Sequence, residues 1–66
     1  MSKKEIQSCL EKGGFVSSLR GIESFCAFMK NDGTVEILDE GIEMNFSLDN
    51  ATMILSNMDE VVLNMR

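Results

Sequence analysis

Residues 22–48, IESFCAFMKNDGTVEILDEGIEMNFSL, contain the strongest strand and turn signals of this chain. The last seven of them, residues 42–48, alternate strictly between apolar and polar side chains, which predicts a strand with one buried face. Residues 34–38 predict another strand, with Val35 and Ile37 on one side. Asp32-Gly33 separates two of the apolar runs, and an Asp-Gly pair in that position is a strong signal for a hairpin. Glu40-Gly41 marks the next turn, so this stretch predicts consecutive antiparallel strands.

The strand predicted at residues 22–30 is apolar on both sides. Phe25, Ala27 and Met29 alternate on one side, and Cys26 and Phe28 lie on the other. A strand of this kind needs cover on both faces of its sheet. One short helix covers only one face, so we expect a second subunit to cover the other.

The chain begins with a pattern typical of a short helix, over residues 2–12. Ser2 and Glu5 have the spacing of a capping box, in which each side chain accepts a hydrogen bond from the other residue's free backbone N–H. Three apolar residues then follow at helical spacing and form one stripe: Ile6, Cys9 and Leu10. Gly13 stands where a left-handed residue ends many helices.

The last third of the chain fits two interpretations. The continuous apolar run Met53-Ile54-Leu55 is consistent with a strand over residues 51–56, and this is the structure that we expect. It is also consistent with a short helix capped by Asn50, in which Ile54 and Met58 share a face. Residues 60–65 predict a closing strand, and residues 15–19 a short strand after the helix. The sequence therefore predicts one α+β domain over residues 1–66. It comprises a short N-terminal helix and a five- or six-stranded antiparallel meander, which packs on the helix or curls into a small barrel.

Composition limits the class of protein. The chain has 66 residues, of which 44% are hydrophobic, and this is too apolar for a disordered segment. No apolar run reaches 18 residues, and the start lacks a signal-peptide pattern, so we expect a cytoplasmic protein without a membrane span. A domain this small has a core that barely offsets the entropy of folding, so we expect a homo-oligomer.

The residues that carry most enzyme and metal chemistry are scarce. The chain has no His, which removes the usual general base at neutral pH and the commonest metal ligand. Its two cysteines, Cys9 and Cys26, lie in apolar segments, and we expect both to be free thiols that act as small hydrophobes. We therefore predict no catalytic residue, no metal site, no cofactor and no enzymatic activity.

Charge is distributed unevenly along the chain. Residues 1–30 hold five Lys or Arg against three Glu, a net charge of +2, whereas residues 31–66 hold eight acidic residues against one Arg, a net charge of -7. An acidic half suits a basic partner surface, although acidic side chains also simply line the solvent face of many sheets. We predict a non-enzymatic interaction module, by analogy with small acidic regulators and inhibitors of the phage type, that self-associates and binds a basic partner. The predicted partner-binding residues are Glu36, Asp39, Glu40, Glu43, Asp59 and Glu60.

A second hypothesis comes from a local resemblance of about a dozen residues. The segment Gly21-Ile22-Glu23-Ser24-Phe25, followed by Phe28 and Lys30-Asn31, resembles the second strand of Sm-like RNA-binding barrels, a family that also opens with a helix and continues in five strands. The resemblance implies a small barrel that binds single-stranded RNA. The basic residues of the N-terminal half would then contact phosphates, namely Lys3, Lys4, Lys12 and Arg20.

Overall fold

The computed structural model of this chain describes residues 1–65, which form two helices and one five-stranded sheet. The helices are α1 (Lys3–Glu11) and α2 (Leu48–Ser56). The strands are β1 (Phe15–Ser18), β2 (Gly21–Met29), β3 (Val35–Asp39), β4 (Ile42–Phe46) and β5 (Val61–Asn64). Every pair of neighbouring strands is antiparallel, so the predicted α+β class, with an N-terminal helix and an antiparallel sheet, is confirmed.

The strand order is β4-β3-β2-β1-β5. The first four strands form the predicted meander, but β5 crosses the sheet and pairs with β1 instead of following β4. Helix α2 lies in this crossover, between two strands that run in the same direction at opposite edges. Within residues 1–65, β4 and β5 each pair with one neighbour, so the sheet stays open and does not close into the barrel considered above.

Both helices pack on the same face of the sheet. Helix α1 contacts β1, β2 and β5, α2 contacts β3 and β4, and the helices contact each other. One cluster of buried side chains joins the helices to alternate residues of the strands. Its members are Ile6, Leu10, Val16, Phe25, Ala27, Val35, Ile37, Ala51, Leu55 and Val61. We call this side of the sheet the covered face and the other side the open face.

Helix α1 begins as the sequence predicts. The Glu5 backbone N–H donates to Ser2 Oγ at 3.2 Å, and the Ser2 backbone N–H donates to Glu5 Oε1 at 3.3 Å, which completes the capping box. These bonds satisfy backbone groups that have no partner inside the helix. The predicted stripe of three residues is buried against the sheet, at Ile6, Cys9 and Leu10.

The end of α1 is fixed by two consecutive glycines. Gly13 has a φ of 86°, and its N–H donates to the Leu10 carbonyl, while the Gly14 N–H donates to the Cys9 carbonyl at 2.9 Å. This pair of bonds is a Schellman motif, and it confirms the predicted left-handed residue at Gly13. A Cβ on Gly14 would lie 2.5 Å from the Asn64 carbonyl oxygen, so only glycine lets α1 approach β5 this closely.

Residues 51–56 are helical, so the expected strand is wrong there. The cap is Ser47, not Asn50: the Ser47 hydroxyl accepts a hydrogen bond from the Asn50 backbone N–H at 3.2 Å. Consequently β4 ends at Phe46, and Leu48, which the alternation placed in the strand, begins the helix. The buried positions of α2 have helical spacing, but one of them is polar, which hides the period; they are Ala51, Thr52 and Leu55.

The β2–β3 turn also matches its sequence signal. Gly33 has a φ of 87°, and the Asp32 carboxylate accepts hydrogen bonds from the Thr34 backbone N–H at 3.0 Å and from the Thr34 hydroxyl at 2.6 Å. These hydrogen bonds hold the pKa of the Asp32 carboxyl below its usual value, and the bond from the Thr34 hydroxyl has the largest effect. The turn is therefore stabilised by its own side chains, independently of the core.

Candidate interaction surface

Four of the six predicted partner-binding residues lie on the β3–β4 hairpin. Glu36 and Asp39 belong to β3, Glu40 to the turn, and Glu43 to β4. Glu40 and Gly41 have φ values of 50° and 84°, and two successive positive φ values define the tight turn that suits an antiparallel hairpin. The turn therefore brings acidic residues up to seven positions apart onto one short hairpin.

Strand register divides these carboxylates between the two sides of the sheet. Glu43 lies opposite Leu38, and Glu36 opposite Asn45, and all four residues belong to the open face. Asp39 lies one position out of phase with Leu38, so its side chain is directed to the other side. The sequence alone grouped these residues by charge, whereas the register separates them.

Asp59 and Glu60 lie in the segment that leads into β5, outside the hairpin. Asp39 and Glu60 nevertheless line one cleft of about 270 Å³, together with Arg20. The Glu60 carbonyl accepts a hydrogen bond from the Leu19 N–H at 3.1 Å, which ties this segment to the β1–β2 turn. The two predicted acidic groups thus meet at one end of the sheet, through Asp39 and Glu60.

The open face carries apolar side chains that no helix covers. Phe15 and Phe28 lie opposite each other on β1 and β2, and Cys26 lies on the same side. These three residues are half-buried, and with Ile22 they line a groove of about 380 Å³. The sequence analysis predicted the part of this surface that β2 provides, because it placed apolar side chains on both sides of residues 22–30. It did not predict that Phe15 of β1 belongs to the same surface.

Both cysteines are free thiols, as expected. Cys9 is buried beneath α1, where its Sγ lies 3.7 Å from the Asn64 carbonyl oxygen and 3.8 Å from that of Phe15. Cys26 is half-buried on the open face. Burial raises the pKa of both thiols above the ordinary value, which keeps them protonated and poorly nucleophilic near neutral pH.

Polar side chains near the groove are satisfied by the protein itself. The Asn64 Nδ2 donates to Ser17 Oγ at 3.0 Å and to the carbonyls of Phe15 and Val62 at 3.3 Å. Among residues 1–65, every buried side-chain nitrogen or oxygen atom has a hydrogen-bond partner. In the same part of the chain, no three carboxylate, thiol or imidazole groups gather closely enough to hold a metal ion.

The basic residues named in the RNA hypothesis lie in different surroundings. Lys3 and Lys4 belong to α1, and Lys12 is the residue at its C-terminal cap. Lys4 lines a groove with Leu63 of β5, whereas Arg20 belongs to the β1–β2 turn and lines the cleft with Asp39 and Glu60. Arg20 therefore lines a cleft that also contains two carboxylates, and Lys4 lines a different groove.

Comparisons with models of known protein families, with curated protein sequences and with solved structures found no match. Within residues 1–65, neither helix is long and apolar enough to cross a membrane. The geometry of the acidic hairpin and of the open face remains as the basis for a functional proposal.

Proposed function

We propose that this chain is a small non-enzymatic protein-interaction module that binds a basic surface on a partner protein. The observation that carries the proposal is the acidic β3–β4 hairpin, which holds Glu36, Asp39, Glu40 and Glu43. No Lys or Arg occurs anywhere in residues 31–65, so no cation from this half of the chain offsets these charges. Exposed charges of one sign steer a partner of opposite charge and favour it over others.

The cleft beside the hairpin supports a larger acidic surface. Asp39 and Glu60 line this cleft together with one cation, Arg20, and Asp59 precedes Glu60 in the chain, so acidic groups outnumber basic ones here. A basic partner that covers this end of the sheet would contact Asp39, Glu40 and Glu60 and lie close to Asp59, while Glu36 and Glu43 extend the acidic surface onto the open face. By occupying such a surface, the module would act as a regulator or inhibitor of that partner.

Self-association is the second part of the proposal. The open face holds the half-buried side chains of Phe15, Cys26 and Phe28, and both helices pack on the opposite face. A second copy placed on the open face would remove this apolar surface from water. Burial of apolar area contributes about 25 cal/mol per Å², so covering two phenyl rings in each copy would add measurably to the stability of a small domain.

Matched charge variants test partner binding. The first variant combines Glu40→Gln with Glu43→Gln on the hairpin, and the control combines Glu11→Gln on α1 with Asp49→Asn on α2, with the same change in net charge. Immobilised wild-type and control proteins are expected to capture the same partner from lysate at low salt and release it at high salt. After purification of that partner, the hairpin variant is expected to bind it about tenfold more weakly, roughly 1.4 kcal/mol for two charges. Equal affinities of the two double variants would contradict the proposal.

Molar mass in solution tests self-association. Light scattering over a concentration series is expected to give an oligomer for the wild type, a monomer for Phe28→Ser on the open face, and an oligomer for Met53→Ser on α2. Circular dichroism checks that both variants are folded. A wild type that stays monomeric at all concentrations would remove this part of the proposal and leave partner binding standing.

RNA binding, the second hypothesis from the sequence, predicts a different outcome. A gel shift with single-stranded RNA at low salt, lost as salt rises, would favour it over the acidic interaction module. The variant Lys3→Gln/Lys4→Gln would then weaken the shift, while the hairpin variant would not. No shift at micromolar protein is expected here, because the net charge of -5 repels phosphate.

A further inference from the structure

The free edge of β4 offers backbone hydrogen-bonding groups to a partner. β4 is the last strand of the sheet on its side, and Asp39 lies opposite Ile42 across a two-residue turn. In such a hairpin the pair next to the turn exchanges both hydrogen bonds, and bonded pairs alternate with non-bonded pairs. Asp39–Ile42 and Ile37–Met44 are then bonded pairs. The N–H and C=O groups of Glu43 and Asn45 consequently point away from β3, toward the free edge of the sheet.

The side chains of β4 give this edge two different sides. Ile42 and Met44 lie on the covered face, yet they are 63% and 36% exposed. Glu43 and Asn45 lie on the open face, with Glu36 of the neighbouring strand opposite Asn45. The edge therefore combines unpaired backbone groups, an apolar side and an acidic side.

The other edge of the sheet lacks this combination. Val61 and Leu63 of β5 direct their side chains into the core and its margin, and Val62 and Asn64 on the open face carry no charge. Asn64 also uses its side chain to bind neighbouring backbone and Ser17. Charge complementarity therefore distinguishes β4 from β5 as the edge for a basic partner.

We propose that an extended segment of a partner protein, in which Lys or Arg alternates with apolar residues, adds to β4 as a sixth strand of the sheet. Its backbone pairs with Glu43 and Asn45, and its apolar side chains cover Ile42 and Met44. Its basic side chains lie on the open face beside Glu43, with Glu36 behind Asn45 on the next strand. This inference rests on the proposed function, since it specifies how the acidic hairpin binds its basic partner. Strand addition of this kind takes affinity from backbone hydrogen bonds and specificity from alternate side chains.

A second copy of this chain is a poorer occupant of the same edge. Pairing of β4 with β4 around a two-fold axis leaves the open faces of both copies on the same side of the joint sheet. The Glu43 carboxylates of the two copies then lie on the same side of the joint sheet, on the two edge strands that meet, and like charges this close destabilise a strand pair. Glu43 on the edge strand thus disfavours self-pairing and favours a cationic strand.

Three synthetic peptides of equal composition separate strand addition from simple charge attraction. The first alternates Lys and Val, the second has the same residues in two blocks, and the third is the alternating peptide with methyl groups on every second backbone nitrogen. The methylated form keeps all charges and side chains but loses the backbone donors that face β4. Strand addition predicts that the first peptide binds at least about tenfold more tightly than the other two. It also predicts that the amides of Glu43 and Asn45 become protected from hydrogen exchange.

Two variants of the protein complete the experiment. Asn45→Pro removes an outward N–H without removing a bond to β3, and is expected to abolish binding of the alternating peptide while the circular dichroism spectrum is retained. Glu43→Lys reverses the charge of the edge and is expected to bind an alternating Glu/Val peptide in place of the Lys/Val peptide. Because each variant keeps the ladder with β3 intact, loss of binding is distinguishable from loss of fold.

The outcomes distinguish the two levels of the proposal. Equal binding of all three peptides would overturn strand addition and leave the acidic interaction module in place. Failure of every basic peptide to bind would also overturn strand addition. The capture experiment with the hairpin variant then tests separately whether the acidic hairpin binds a basic partner. Conversion of a wild-type oligomer into a monomer by Asn45→Pro would assign the edge to a second copy and overturn the proposal.

Discussion

Ile37 and Leu38 are neighbours on β3, yet their side chains differ in burial. Ile37 is 1% exposed on the covered face, whereas Leu38 is only half-buried on the open face. The same contrast separates Ala27 from Phe28 on β2. Both faces of the sheet carry apolar residues, but helices pack on only one of them. The covered face thus accounts for most of the stability of the domain, and the open face keeps apolar surface that binding can use.

Chemical labelling of the two cysteines tests this comparison with the largest expected effect. At a concentration low enough to keep the protein monomeric, Cys26 on the open face is expected to react with iodoacetamide about a hundredfold or more faster than Cys9. Cys9 becomes accessible only when the domain opens, and opening of even a marginally stable domain is rare. Mass spectrometry of the separate peptides measures both rates. Because burial raises both thiol pKa values, the rates should keep rising as the pH passes 9.0, the ordinary value. Urea should remove the difference between the two labelling rates. Similar rates in the native protein would contradict the distinction between a covered and an open face.

A pair of alanine variants on β3 measures the same contrast as stability. Ile37→Ala is expected to lower the free energy of unfolding by about 3 kcal/mol, because it leaves a cavity in the buried core. Leu38→Ala is expected to lower it by about 1 kcal/mol or less, since water already reaches that side chain. Urea unfolding followed by circular dichroism gives both values, and fluorescence is unsuitable in a chain without Trp or Tyr. Equal losses would show that the open face is as important to the fold as the covered one.

Serine variants at the two ends of α2 measure how much the N-terminal cap of this covering helix contributes to stability. Ser47→Ala removes the hydroxyl that caps the helix and is expected to destabilise the protein by about 1 kcal/mol. The Ser56 hydroxyl only donates to the Met53 carbonyl inside the helix, so Ser56→Ala is expected to change stability by less than about 0.5 kcal/mol. Thermal unfolding compares the two. A larger effect at Ser56 would contradict the assignment of Ser47 as the cap.

Asp32 lies on neither face of the sheet and gives the smallest expected effect. Its pKa is lowered in the folded chain by bonds from Thr34, so its contribution to stability is present above the ordinary value of 3.8 and is lost as pH falls through the folded pKa. Asp32→Asn should therefore lower the melting temperature slightly at pH 7 and have no effect at the acid end of a titration. Carboxyl NMR gives the pKa directly, and Thr34→Val should return it toward 3.8. An Asp32 pKa unchanged by Thr34→Val would contradict this account.

The features predictable from sequence depend on residues close together in the chain. Ser2 and Glu5 are three positions apart, and the Asp32-Gly33 and Glu40-Gly41 turns contain their own signals. A strand was preferred over the alternative helix in this segment because Thr52 occupies a buried position while apolar Met53 and Ile54 are exposed, so the helical period is weak. For the candidate surface, the acidic residues were selected from charge alone, and their division between the two faces required the strand register.

Short-range sequence patterns account for the local elements: the capped first helix, the tight hairpin turns and the alternation in the strands. Packing of distant segments accounts for the helix at residues 48–56, for the pairing of β5 with β1, and for the face that is left without a helix. The physical reason is the range of the contacts involved. Caps and turns satisfy backbone groups within a few residues, whereas the place of β5 depends on contacts such as that of Asn64 with Phe15, whose residues lie 49 positions apart.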